Sequence, residues 1–188
     1  MTTPTRGAGV EREANLLGAL ALVVTDQTET VTAAACGLSP TAAAALSALL
    51  HFLDKPTLDM LRRVLGLTPS GAVRLVDRLA EAGYVTRGPG ADGRSRSVTL
   101  TQKGRRAAKR VARARAQVLR GALAGLSVPE RETLHALLGK LFSPFIRQPR
   151  STGWICRLCD TVSCGRDAGH CPVANEALAW HTRASTPD

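Results

Sequence analysis

The stretch from Thr57 to Gly104 constrains this chain most, because its punctuation leaves one arrangement of short elements. Thr57 can cap a helix over Leu58 to Leu65, and Gly66 breaks it. Thr68 caps a second helix with Pro69 in its first turn, where the missing N–H costs nothing. That helix runs to about Ala82, and Gly83 can take the left-handed closing position. Val85 to Arg87 and Arg96 to Leu100 read as short strands, and Gly88-Pro-Gly-Ala-Asp-Gly93 between them reads as a turn.

Helix, tight turn, helix and basic-tipped hairpin make the layout of a winged helix-turn-helix, which places its second helix in a DNA major groove. On that helix Ala72, Val73, Leu75, Val76 and Leu79 read as the apolar face. Ser70, Arg74 and Arg78 lie opposite, the two arginines one turn apart. A lone exposed arginine is ordinarily just solvated. Arg94 and Arg96 in the neighbouring hairpin change the balance, since two separate elements then offer guanidinium groups suited to phosphates and guanine edges. The candidate DNA contacts are Thr68, Ser70, Gly71, Arg74, Arg78, Asp92, Arg94 and Arg96.

The run Leu67-Thr-Pro-Ser-Gly-Ala-Val-Arg-Leu-Val-Asp-Arg-Leu-Ala-Glu-Ala-Gly-Tyr-Val85 resembles the recognition helix and following strand of the MarR family. Asp92-Gly-Arg94 and Val98-Thr-Leu-Thr-Gln-Lys-Gly104 resemble that family's wing and its exit into the next helix. The resemblance spans about Glu11 to Ile146. It implies a mainly α protein with a two-stranded wing and long flanking dimerisation helices, acting as a transcription regulator and usually a repressor. By position it implies Ser70, Arg74 and Arg78 in the major groove and Arg94 in the minor groove, with Asp92 bracing Arg94.

Charge points the same way. The 188 residues carry a net charge of +10. Met60 to Arg120 holds fifteen Lys or Arg against Asp77, Glu81 and Asp92, a local +12, so the remainder sums to −2. A field so concentrated draws in nucleic acid and makes affinity salt-dependent, although Ala/Arg-rich segments are also simply good helix formers. The longest apolar run, Leu16 to Val24, falls short of the roughly 20 residues a membrane span needs. Ala33-Ala-Ala-Cys36 resembles a lipoprotein cleavage site, but Asp26 and Glu29 interrupt the segment before it, so a cytoplasmic protein is expected. Disulfides are then not the default for its five cysteines.

Four segments are expected: a disordered tail over 1–10, a DNA-binding and dimerisation domain over 11–146, a linker over 147–153, and a Cys-rich appendage over 154–188. Glu11 to Cys36 reads as one helix with a stripe at Leu16, Leu20, Val23, Gln27, Val31 and Ala34, an oligomer contact or a core face. Gly37 ends it, Cys36 reads as a small buried residue, and Ser39-Pro40 opens an Ala/Leu-rich scaffold helix to Phe52. His51, near its end, reads as structural. Gln102 to about Ala124 is a basic helix, with Lys103, Arg105, Arg106, Lys109 and Arg110 clustered beside the wing. Ser127 with Glu130 forms a capping box for a last long helix, which Pro144 should stop.

The appendage places Cys156, Cys159, Cys164 and Cys171 in a C-x2-C-x4-C-x6-C pattern. So short a segment has no core of its own and needs a cross-link. A four-thiolate Zn2+ resembles a zinc knuckle with Cys in the His position. An iron–sulfur cluster also takes four thiolates, and Cys171-Pro172 resembles the end of a ferredoxin loop. Reversible disulfides would make a thiol switch. His170 is either a substitute ligand or a polar loop residue, and Trp154 and Trp180 bracket the segment as packing residues.

The leading expectation is a homodimeric regulator of double-stranded DNA that takes its signal through the cysteines or a small-molecule effector. The alternative is a redox or electron-transfer module with the winged helix serving protein docking. A third reading is a purely structural zinc module. Against an enzyme stand the lack of a nucleotide-binding glycine pattern, of a strand before Cys156, and of an acid/base pair beside it.

Overall fold

A computed structural model of the protein describes residues 6–90, 96–146 and 152–184. In chain order the described residues form α1 (Arg6–Cys36), α2 (Pro40–His51), α3 (Leu58–Leu65), α4 (Pro69–Glu81), β1 (Val85–Pro89) and β2 (Arg96–Leu100). Then follow α5 (Gln102–Leu123), α6 (Val128–Ile146), α7 (Thr152–Cys156) and α8 (Pro172–Ala184). The mainly α winged helix-turn-helix class expected from the sequence is the observed one.

Local chemistry sets these boundaries. Ser39, Thr57, Thr68 and Thr101 each accept a hydrogen bond from the backbone N–H three residues on. Each satisfies a donor that the helix start leaves unpaired, typically worth about 1 kcal/mol. Gly66 and Gly83 close α3 and α4 with φ of 66° and 71°, a region L side chains rarely adopt.

The core centres on α2. Ala42 to Leu49 are all buried, and the alanines let α1 and α5 approach closely. Leu46, Leu61, Val76, Leu79, Val98 and Val111 are the largest apolar side chains fully buried around it. The two strands pair antiparallel, Val85 opposite Leu100 and Pro89 opposite Arg96. Val98 N–H also donates to the Pro56 carbonyl at 3.0 Å, and Thr57 bridges Ser97. The wing is thus tied to the start of the helix-turn-helix.

One junction allows no side chain at all. A Cβ on Gly104 would lie 1.9 Å from the Tyr84 carbonyl oxygen. Thr101 Oγ1 donates to Gly83 O at 2.7 Å, and Thr101 N–H to Tyr84 O at 3.0 Å. This explains the Thr-x-x-Gly at the wing's exit: it presses the start of α5 against the end of α4.

Several expectations need correction. Helix α1 starts at Arg6, so residues 6–10 of the expected tail are helical. Its packed face is Thr28, Thr32 and Cys36 rather than the apolar stripe; Leu16, Leu20 and Val23 are exposed and Ala34 faces outward. Thr32 manages burial by returning its hydroxyl to the Thr28 carbonyl at 2.7 Å. Helix α6 continues through Pro144 to Ile146, because Ile146 and Phe142 are anchored in an apolar cluster with the appendage. Trp180 is 41% exposed and does not act as a packing bracket. The turn expected at Gly88 begins later, since Gly88 and Pro89 still pair with β2. No single helix among the described residues is long and apolar enough to cross a membrane.

Candidate nucleic-acid interface

Helix α4 buries Ala72, Leu75, Val76 and Leu79 and exposes Ser70, Val73, Arg74 and Arg78. Positions 72, 75, 76 and 79 complete an inward stripe at three- and four-residue spacing. Val73 falls outside it and is 42% exposed, so it belongs to the free face, contrary to the sequence reading. An apolar side chain there can meet a thymine methyl, and its exposure on an otherwise polar face was the missed signal.

Two of the expected contact residues have a structural task. Thr68 Oγ1 accepts from Gly71 N–H at 3.1 Å and lies 3.4 Å from Ser70 Oγ. A Cβ on Gly71 would sit 3.0 Å from that Oγ1. Thr68 and Gly71 therefore build the start of α4. Arg78 Nε donates to the Arg74 carbonyl at 3.4 Å, and both arginines are exposed. Asp77 pairs with Arg87 of β1, a brace from α4 to the wing. Arg96 is exposed at the distal end of β2. Asp92 and Arg94 lie outside the described residues.

On α3, Asp59 holds Arg62 at 2.8 Å and Arg63 at 2.7 Å. Hydrogen bonding from Arg62 draws the Asp59 carboxyl below its usual range. At the start of α5, Lys103, Arg105, Arg106 and Lys109 are exposed, and Lys103 stands 5.4 Å over the Tyr84 ring. Arg110 instead donates to Ala35 O at 3.1 Å, capping the C-terminal end of α1. Cys36 is buried, its carbonyl accepting from the Tyr84 hydroxyl at 2.8 Å. Burial raises its thiol pKa.

The appendage packs behind this interface. Cys156 and Cys171 are buried with Ile146, Val173 and Ala177, and Cys159 and Cys164 pack against the same cluster. Mutual interaction between the Cys156 and Cys159 thiols draws Cys159 below its ordinary value and raises Cys156, which burial raises further. Arg115, Arg166 and Arg157 add positive charge around Cys159. Burial raises Cys164. Among the described residues, no three Cys, His, Asp or Glu side chains stand at the spacing of a single-ion site. His170 is exposed, with its Cβ against Gly165. His51 pairs through Nδ1 with Asp160 at 3.6 Å, so the residue read as structural meets the appendage.

A helix with one face in the core and the other free and cationic, braced to a basic hairpin, defines a winged helix-turn-helix transcription regulator. Residues 37–95 match the model of the MarR family. A probable transcriptional regulator from Pseudomonas aeruginosa is 30% identical, with a TM-score of 0.52, over 66% of this chain and 95% of that one. A MarR family protein from Bacillus stearothermophilus is 24% identical, with a TM-score of 0.67, over 76% of this chain and 99% of that one. CouR from Rhodococcus jostii RHA1, solved with p-coumaroyl-CoA, is 21% identical, with a TM-score of 0.54, over 68% of this chain and 87% of that one. No curated protein matches the chain. The chain belongs to the MarR family, whose members are transcription regulators and not enzymes.

Proposed function

We propose that this protein is a cytoplasmic homodimeric repressor that reads an inverted repeat in double-stranded DNA. The free face of α4 carries the reading. Ser70, Val73, Arg74 and Arg78 are exposed on a helix whose opposite face is in the core. Arg74 and Arg78 suit guanine edges or phosphates, Val73 a thymine methyl, and Arg96 the backbone beside the wing. The exposed cations at the start of α5 extend the field along the duplex.

Dimerisation is supported by apolar surface this chain leaves open. Leu16, Leu17, Leu20, Leu22 and Val23 of α1 are about half exposed or more, as are Leu137, Leu141 and Phe145 of α6. Such faces mark an interaction surface, and the two helices flank the domain as the family's dimerisation helices do. A groove of about 620 Å³ between α1 and α5, lined by Leu20, Val23, Val24, Val31, Val118 and Ala122, offers an apolar effector a place beside that surface. CouR, a fold relative, binds p-coumaroyl-CoA. The repressor role rests on the family likeness.

Selection from a random duplex pool with the full chain is the test. The expected product is an inverted repeat with half-sites roughly 10 bp apart, lost on Arg74→Ala. A pool without enriched sequence sinks the reading.

A further inference from the structure

We propose that Cys156, Cys159, Cys164 and Cys171 hold a thiophilic metal centre, either zinc or an iron–sulfur cluster, and that this centre clamps the appendage onto the helix-turn-helix. The inference deepens the reading above by naming its regulation, and rests on it for the DNA output.

The four thiols come from distant points of a short segment and meet at one apolar cluster. Cys156 ends α7 and Cys171 directly precedes α8. Cys159 N–H donates to Cys156 O at 2.8 Å, closing the first tight turn. Asp160 Oδ1 accepts from Val162 N–H at 3.0 Å, its Oδ2 accepts from Ser163 Oγ at 2.8 Å, and Cys164 N–H donates to Asp160 O. Gly165 and Gly169 then reverse the chain at positive φ and return Cys171 to the apolar cluster that Cys164 packs against. All four cysteines thus border one apolar cluster without standing at single-ion spacing; ligation would draw the thiols together. Collecting thiolates in an apolar place repels them from one another, and a cation bound between them offsets that. Arg166 reaches Cys156 Sγ at 3.5 Å and reduces the residual negative charge.

The same segment grips the reading head. A Cβ on Gly66 would lie 3.2 Å from Trp154 Nε1, so the indole covers the turn between α3 and α4. Leu158 packs into the main core. Thr161 Oγ1 donates to the His51 carbonyl at 3.0 Å, and Arg166 stands 5.8 Å over the Phe52 ring. Cys156 is two residues from Trp154, and Cys159 directly follows Leu158. A centre that fixes these cysteines fixes Trp154 on the turn that sets the angle of α4; its loss frees the turn and weakens DNA reading.

The test uses the full chain purified without air. Elemental analysis is expected to return about one zinc per chain, or iron with acid-labile sulfide and absorption at roughly 400 nm. Either result supports the site and identifies the metal; a metal-free chain overturns it. Cys159→Ser with Cys171→Ser, or chelation of the unsubstituted chain, is expected to speed amide exchange at Gly66 and Leu67 by at least about tenfold. Trp154→Ala should do the same while keeping its metal. Exchange that ignores metal removal overturns the clamp without touching the DNA reading. Affinity for the selected duplex should fall with the loss of exchange protection, and unchanged affinity overturns the regulatory role. If the unsubstituted chain selects no duplex, the DNA reading fails and the exchange result alone decides the clamp.

Discussion

In the reading head, Leu46, Leu61, Val76, Leu79, Val98 and Val111 are essentially fully buried on five different elements. In the appendage the buried apolar set is Ile146, Cys156, Cys171, Val173 and Ala177, two of them cysteines and one lent by α6. The head has enough shared apolar surface to fold by packing. The appendage replaces packing with sulfur and with hydrogen bonds to its host. The head's packing is therefore set by its own apolar residues, while under the proposal above the appendage's geometry would answer to what its thiols bind.

The largest test of the contrast falls on the head. Gly104→Ala drives a Cβ into the Tyr84 carbonyl oxygen and should cost about 3 kcal/mol, the upper range for forced overpacking. Chemical denaturation should show it as a lower midpoint with an unchanged slope. A loss below about 0.5 kcal/mol would mean that the α4–α5 junction yields and the head is less rigidly packed than argued.

Arg74→Ala comes next and separates reading from folding. The side chain is exposed, so thermal stability should hold while affinity for the selected duplex drops by about 1–3 kcal/mol, roughly fivefold to 150-fold. An equal loss on non-specific duplex would reassign Arg74 from base reading to phosphate contact.

Val173→Ala probes the other side. It removes two buried methyl groups, worth about 1.5 kcal/mol by area, from a cluster the head does not share. Amide exchange over 154–177 should rise while the head's midpoint stays put. A matching fall in the head's midpoint would show one cooperative unit and dissolve the distinction.

The same contrast governs what could be read in advance. The helix-turn-helix was legible because Thr57, Thr68, Gly66 and Gly83 act on their own neighbours, so boundaries follow from local chemistry. The four cysteines were legible as a set for the same reason, by spacing. Their docking was not, since Trp154 against Gly66 and Thr161 against His51 join residues 88 and 110 positions apart. Nor was the packed face of α1, where Thr28 and Thr32 occupy positions that hydrophobic periodicity assigns to apolar residues. Val73 was misplaced because five apolar residues in eight positions look like one face, and only packing shows which four the core admits.

The smallest effect belongs to a second glycine on α5, and its sign is the point. A Cβ on Gly121 meets nothing within 4 Å, so Gly121→Ala should stabilise by about 0.5–1 kcal/mol by restricting the unfolded chain. The same substitution on one helix thus harms at position 104 and helps at position 121, because the first end is pressed against the head and the second lines the open groove beside α1. Denaturation midpoints at two protein concentrations, roughly a hundredfold apart, sharpen the result further, since binding of a second copy makes stability depend on concentration. A gain seen only at the lower concentration would mean that a second copy fills the groove and the added methyl crowds it. A gain at both concentrations would leave the groove open in the dimer, where an effector could enter.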